Sequence, residues 1–222
     1  MFRRYMHTSS GETVSGHRTF YRRRLPHWQP AGATFFVTFR LAHSLPRAVV
    51  ETLIAERDRR ERALSRITDV QERQRQQYAD ARRAFGRWDR ALDSAAQGPR
   101  WLQQAAVADM VAEALHHRDQ RVYDLWAYCV MPNHVHLVCT PLVREDGAYW
   151  SLLRILQSLK GYTGHRANEI LGRSGVFWQR ESYDHVVRDE DELARIVDYV
   201  KNNPPSAQLV SRWEDWPWTY VK

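Results

Sequence analysis

Two histidines one residue apart, His134 and His136, follow a Pro-Asn turn in the run Met131-Pro132-Asn133-His134-Val135-His136-Leu137-Val138. On a β-strand, alternate side chains share a face, so the histidines project together while Val135, Leu137 and Cys139 point the other way. Two imidazoles ~7 Å apart along a strand can both reach one divalent cation when a third ligand arrives from another element. Paired histidines on a strand are equally often surface or satisfied polar groups, so the pair needs company to mean chemistry. Near the C-terminus, Tyr199 and Asn203 are four apart in Asp198-Tyr199-Val200-Lys201-Asn202-Asn203-Pro204. On a helix they share one side, beside an apolar stripe of Leu193, Ile196, Val197 and Val200.

The elements that would position these residues can be read in order. Residues 1–28 form a basic arm with Arg22, Arg23, Arg24 and Trp28, punctuated by Gly11, Gly16 and Pro26 and without helical or strand periodicity. It is expected to be loosely ordered until an anion binds, or to be a solvated tail. Residues 33–41 are aromatic and β-branched, a strand with Phe35, Val37 and Phe39 on one face. From Pro46 to about Ser94 the pattern is charge-laced helix, with Thr68 and Gln71 resembling a capping box and implying a break near Ile67. The two helices would form a hairpin inserted over 46–97, a solvated face or a DNA contact.

A helix is expected over 105–116, then a strand over 123–130 pairing with the histidine strand, then a helix from about 150 to 171 weakened by Gly161 and Gly164. Phe177-Trp178-Gln179-Arg180 precedes a short strand over 183–188. Asp189 with Glu192 caps a last helix, which must stop by Asn203 because Pro204 disfavours helical backbone before it. Without the insertion, the order is βα, a β-hairpin, then αβα. That predicts an α+β, ferredoxin-like antiparallel sheet with helices mainly on one face, one domain over 29–222.

Lys+Arg 33 against Asp+Glu 26 leaves a net charge of +7, which favours a polyanion such as nucleic acid. Nine Trp and ten Tyr interleaved with arginines suit stacking on unpaired bases, though most such aromatics are core. Within the expected hairpin Cys129 lies roughly opposite Val135, and Cys139 near Leu125, so the two cysteines are not expected to form a disulfide. No apolar run approaches the length of a membrane span and no signal peptide opens the chain, so the expectation is a reduced, cytoplasmic protein without a membrane partner.

Taken together, Met131-Pro132-Asn133-His134-Val135-His136, Phe177-Trp178-Gln179-Arg180 and Asp198-Tyr199-Val200-Lys201-Asn202-Asn203-Pro204 resemble the single-tyrosine HUH transposases. Within these they are most similar to the REP-associated tyrosine transposases of the IS200/IS605 type, over roughly 27–218. The resemblance implies that His134 and His136 are metal ligands, that Tyr199 is the nucleophile, and that Asn203 completes the metal site where mobile-element relatives more commonly carry Gln. It implies Mg²⁺ or Mn²⁺ as cofactor and single-stranded DNA hairpins as substrate; the sequence leaves monomer and homodimer both open. A phenol has a pKa near 10 and attacks phosphorus poorly unless a cation neutralises the scissile phosphate. Arg22, Arg23, Arg24, Trp28, Arg40, Lys160, Trp178, Gln179 and Arg180 are the candidate DNA contacts. Tyr162 is a rival nucleophile, but the residue four on is Arg166 rather than a polar ligand. A hairpin-binding module without chemistry, or a phosphodiesterase using water, would fit the same elements.

Overall fold

The computed structural model describes residues 20–22, 26–28, 30–94 and 98–222. The chain divides into two compact units, Met1–Ala42 with Trp101–Lys222, and His43–Arg100.

In the first unit, β1 (Phe20–Arg22) and β2 (Pro26–Trp28) pair as a short antiparallel ribbon, where the sequence suggested an arm without strands. The main sheet has five strands: β3 (Phe35–Leu41), β4 (Tyr123–Val130), β5 (His134–Pro141), β6 (Trp178–Val186) and β7 (Thr219–Val221). They lie in the order β6-β3-β5-β4-β7, every pairing antiparallel. Without β7 this is the strand order of a ferredoxin-like sheet, and the expected fold class is borne out. β6 is longer than expected because the Phe177-Trp178-Gln179-Arg180 run enters the sheet, with Trp178 paired to Leu41.

Alternation gives the sheet two unlike faces. Phe35, Val37, Phe39, Leu125, Val135, Leu137 and Cys139 form one core with α3 (Ala105–His116) and α4 (Leu152–Ile170), which contribute Val107, Val111, Leu115, Ile155 and Leu159. Fully burying one such aliphatic side chain is worth about 1.5–3 kcal/mol, so this layer is the rigid body of the unit. Gly164 lets α4 and β6 close up, since a Cβ there would stand 3.4 Å from Cδ1 of Trp178. The opposite face carries Phe36, Thr38, Arg40, His134 and His136 and is crossed by α5 (Glu190–Lys201), followed by the short α6 (Asn203–Ser206).

Asp189 caps α5 as expected, its Oδ1 accepting from the Glu192 amide at 2.7 Å. β7 was not anticipated; it lies along the edge of β4, and Trp216 Nε1 donates to the Val130 carbonyl at 2.9 Å beside it. Both cysteines are buried free thiols: Cys139 pairs in register with Leu125, as expected, and Cys129 with His136, one step from the position expected.

The second unit is a hairpin of α1 (Arg47–Leu64) and α2 (Val70–Asp93). Ion pairs Arg87–Glu56 at 3.0 Å and Arg60–Asp80 at 3.4 Å run between the helices, and no residue of α1 is buried. The cap of α2 is Asp69 rather than Thr68, its Oδ1 accepting from the Glu72 amide at 2.8 Å. The Asp69 carboxylate therefore takes the place of the expected Thr68–Gln71 box.

Candidate functional site

His134 and His136 are both fully buried, and their Nε2 atoms face each other at 3.0 Å. The backbone spacing of a strand would hold the rings farther apart, so the close approach comes from how the other ring nitrogens are held. His134 Nδ1 lies 2.7 Å from Oδ1 of Asn133, and His136 Nδ1 lies 2.8 Å from the hydroxyl of Thr38 on β3. Thr38 pairs with His136 in register and Arg40 with His134. An amide oxygen only accepts, so His134 carries its proton on Nδ1 and offers a lone pair at Nε2. Asn133 and Thr38 thus orient the two ligand-type nitrogens toward one point, the arrangement outer hydrogen bonds impose on metal-binding histidines.

Tyr199 comes to this face from α5. Its ring stands edge-on to His136 at 5.7 Å between centroids and edge-on to Phe36 at 6.0 Å. Phe36 in turn lies 5.6 Å from the His136 ring, so the three rings pack as one group. Asn203 starts α6, one turn beyond Tyr199; it is 3% exposed, and its Oδ1 is buried without a hydrogen-bond partner. A buried, unsatisfied carbonyl-type oxygen costs about 1–3 kcal/mol and is a good ligand for a hard cation. Two imidazole nitrogens and an amide oxygen are donor types that would suit a divalent first-row cation such as Mn²⁺.

Arg40 is half-buried, in register with His134, and burial pulls its guanidinium down to about 10, still fully charged at neutral pH. It supplies a fixed positive charge on the site face. Thr38, Asn133 and Phe36 were not among the expected site residues. The signal was partly there, because naming Phe35, Val37 and Phe39 as one face leaves Phe36, Thr38 and Arg40 on the other.

The remaining expected DNA contacts fare differently. Trp178 is buried, donates from Nε1 to the Thr163 hydroxyl at 2.9 Å and stands edge-on to Phe39 at 4.9 Å. It packs as a core residue, with only an edge left at the groove beside Gly161. The Lys160 ammonium bonds the carbonyls of Gln179 and Arg180 at 3.0 and 3.3 Å and the Ser182 hydroxyl at 2.6 Å, which ties α4 to β6. Arg180 is exposed and Gln179 half-buried, both bordering an open groove beside Gly161. Arg23 and Arg24 lie outside the described residues, as do the side chains of Arg22 and Trp28. Tyr162 is 51% exposed on α4, on the far side of the sheet from the histidines, with Arg118 over its ring at 5.8 Å.

Residues 101–203 match the family described as IS200-like transposases. The resemblance read from the motifs is borne out over that segment, which carries His134, His136, Tyr199 and Asn203. Among curated proteins, the chain is 28% identical over 102 residues to a provisionally named REP-associated tyrosine transposase of Haemophilus influenzae, covering 44% of this chain and 58% of that protein. An uncharacterized protein of the same bacterium is 29% identical over 93 residues, 35% of this chain and 52% of its own length. The chain thus spans somewhat over half the length of these relatives. A solved REP-associated tyrosine transposase bound to a REP hairpin is similar at 16% identity and a TM-score of 0.48, covering 90% of this chain and 80% of that one. Among the described residues, no helix is long and apolar enough to cross a membrane.

Proposed function

We propose that this chain is a metal-dependent single-tyrosine transposase that cuts and rejoins single-stranded DNA at hairpin sequences through a 5′-phosphotyrosine. The observation that carries the reading is the Tyr199 ring lying edge-on to His136 while the Nε2 atoms of His134 and His136 converge at 3.0 Å. The IS200-like match over 101–203 spans all these residues. The hairpin substrate rests on the resemblance to the REP-associated members.

His134, His136 and Asn203 would hold Mg²⁺ or Mn²⁺, which when bound neutralises charge on the scissile phosphate and eases ionisation of a phenol. The rest falls to the chain itself. Asn133 and Thr38 keep the imidazoles aimed, and Arg40 adds a half-buried positive charge on the same face that favours a phosphate there. Tyr199 loses its phenolic proton as Oη bonds to phosphorus; the P–O3′ bond breaks, and the leaving 3′ oxygen takes up a proton. In the reverse step a 3′-hydroxyl attacks the phosphotyrosine, a phosphodiester re-forms, and Tyr199 recovers its proton. One ester replaces another at each stage, so no ATP is needed.

The test is to incubate the protein with labelled single-stranded hairpin oligonucleotides and Mn²⁺ and look for a covalent protein–DNA band. A band whose peptide maps to Tyr199 supports the reading. Cleaved DNA with no protein attached would point to water as the nucleophile, and binding with neither would leave a hairpin-binding module.

A further inference from the structure

The helix that carries Tyr199 is weakly anchored by apolar contacts. Of α5, only Val200 and Glu192 are fully buried, while Leu193, Ile196 and Val197 are half-buried. One of its two deep anchors is therefore a carboxylate, and a buried carboxylate must be satisfied to be tolerated. Its partners lie at the end of β6 and in the linker after it: Glu192 Oε1 is 3.0 Å from His185 Nε2, and Oε2 accepts from the Arg188 backbone amide at 2.9 Å. Both side chains are nearly closed to solvent, His185 at 13% and Glu192 at 6%.

His185 pairs in register with Phe36, so it lies on the site face of the sheet. Phe36 is the residue that touches both His136 and Tyr199. Along α5, Glu192 and Tyr199 are seven residues apart, about two turns and ~10 Å, and so face the same way. In an ordinary capping box the Glu side chain would return to the amide of the cap residue itself. Here it reaches past Asp189 to the strand and pins the helix start to β6.

We propose that the His185–Glu192 pair is a positioning device that fixes the helix bearing Tyr199 over the histidine pair. It touches neither DNA nor metal; it sets where the phenol stands. This rests on Tyr199 being the nucleophile, so the test needs one readout that depends on chemistry and one that does not.

The variants are His185→Ala, Glu192→Ala, their double, and the conservative His185→Gln and Glu192→Gln. Single-turnover formation of the covalent adduct should fall about ten- to a hundredfold in each alanine variant, the cost of misplacing a reacting group by about 1 Å. Affinities for Mn²⁺ and for hairpin DNA should stay within about twofold of wild type, and the double variant should be no slower than the worse single one, as for two halves of one contact. The glutamine variants, whose amides can still bridge strand and helix, should recover most of the rate and keep the test alive if an alanine variant does not fold. Hydrogen exchange should quicken over Glu190–Lys201 and stay unchanged over His134–Pro141. Unchanged adduct rates, additive losses in the double, or unchanged exchange across α5 would overturn the clamp. If wild type forms no adduct at all, Tyr199 as nucleophile fails instead, and the exchange data alone decide the clamp.

Discussion

Replacing Thr38 with valine removes one hydroxyl from the site and almost no volume. Thr38 is 6% exposed, and its Oγ1 lies 2.8 Å from His136 Nδ1. His134 holds its proton on Nδ1 against Asn133, so its Nε2 is an acceptor. Without a cation, His136 can donate from Nε2 across the 3.0 Å gap, which leaves its Nδ1 to accept from the Thr38 hydroxyl. With a cation on both Nε2 atoms, the His136 proton must move to Nδ1, and Thr38 must now accept. A hydroxyl can do either by rotating, and valine can do neither.

In the cation-bound state, Thr38→Val therefore takes the hydroxyl partner away from a buried N–H, a cost of about 1–3 kcal/mol. Loss of such an outer-shell partner weakens metal binding by about 10- to 100-fold, or ~1.4–2.8 kcal/mol. Titrating the DNA-free protein with Mn²⁺ and following the free ion by electron paramagnetic resonance measures this without any catalysis. Thr38→Ser keeps the hydroxyl and should bind within about threefold of wild type, well inside the loss expected for valine. Valine binding Mn²⁺ as tightly as wild type, or serine losing as much as valine, would refute this role for the Thr38 hydroxyl.

Tyr199→Phe keeps the ring against His136 and Phe36, so stability should shift by ~1 kcal/mol or less while adduct and cleavage vanish and hairpin binding survives. Tyr162→Phe, on the other side of the sheet, should leave adduct formation intact; mass spectrometry of the adduct peptide separates the two. Chelation by EDTA should abolish cleavage, and His134→Ala or His136→Ala should do so without unfolding the chain by circular dichroism; cleavage persisting in EDTA would sink the metal role. Trp178→Ala should lower stability by about 3–5 kcal/mol in a denaturant titration, as for a large buried aromatic, instead of weakening DNA binding alone.

Local patterns carried much of the fold. The helix at Ala105–His116 and the strand at Tyr123–Val130 match their expected bounds, because both have an unbroken period and clear stops. The Asp189 cap was legible because its partner lies only three residues away. What escaped was long-range. β7 is three residues long, and its pairing to β4 spans about ninety positions, so nothing near Thr219–Val221 announces it. Thr38 could be assigned to the histidine face, but opposing His136 depends on register between strands far apart in sequence. The burial of Trp178 was hidden for a related reason: its neighbours Gln179 and Arg180 suggest a surface, whereas its own environment is set by Gly164 on a distant helix.

The two faces of the sheet therefore carry separable burdens. One is an apolar layer under α3 and α4, where changes to Val37, Leu137 or Leu159 would act on stability and reach the chemistry only through unfolding. The other holds Thr38, Arg40, His134 and His136 under a helix with one fully buried apolar residue. On that face a substitution such as Thr38→Val can misalign the site at small cost to the fold, because it exchanges one hydroxyl for a methyl group and leaves the apolar residues buried there, Phe36 and Val138, in place. Side chains of single residues on β3 and β5 point alternately into the two layers, so Phe36 and Val37 are neighbours in sequence and belong to different problems. A pair of substitutions at such adjacent positions should show this directly, with Val37→Ala lowering the unfolding midpoint and sparing metal affinity in the molecules that remain folded, and Thr38→Val doing the reverse.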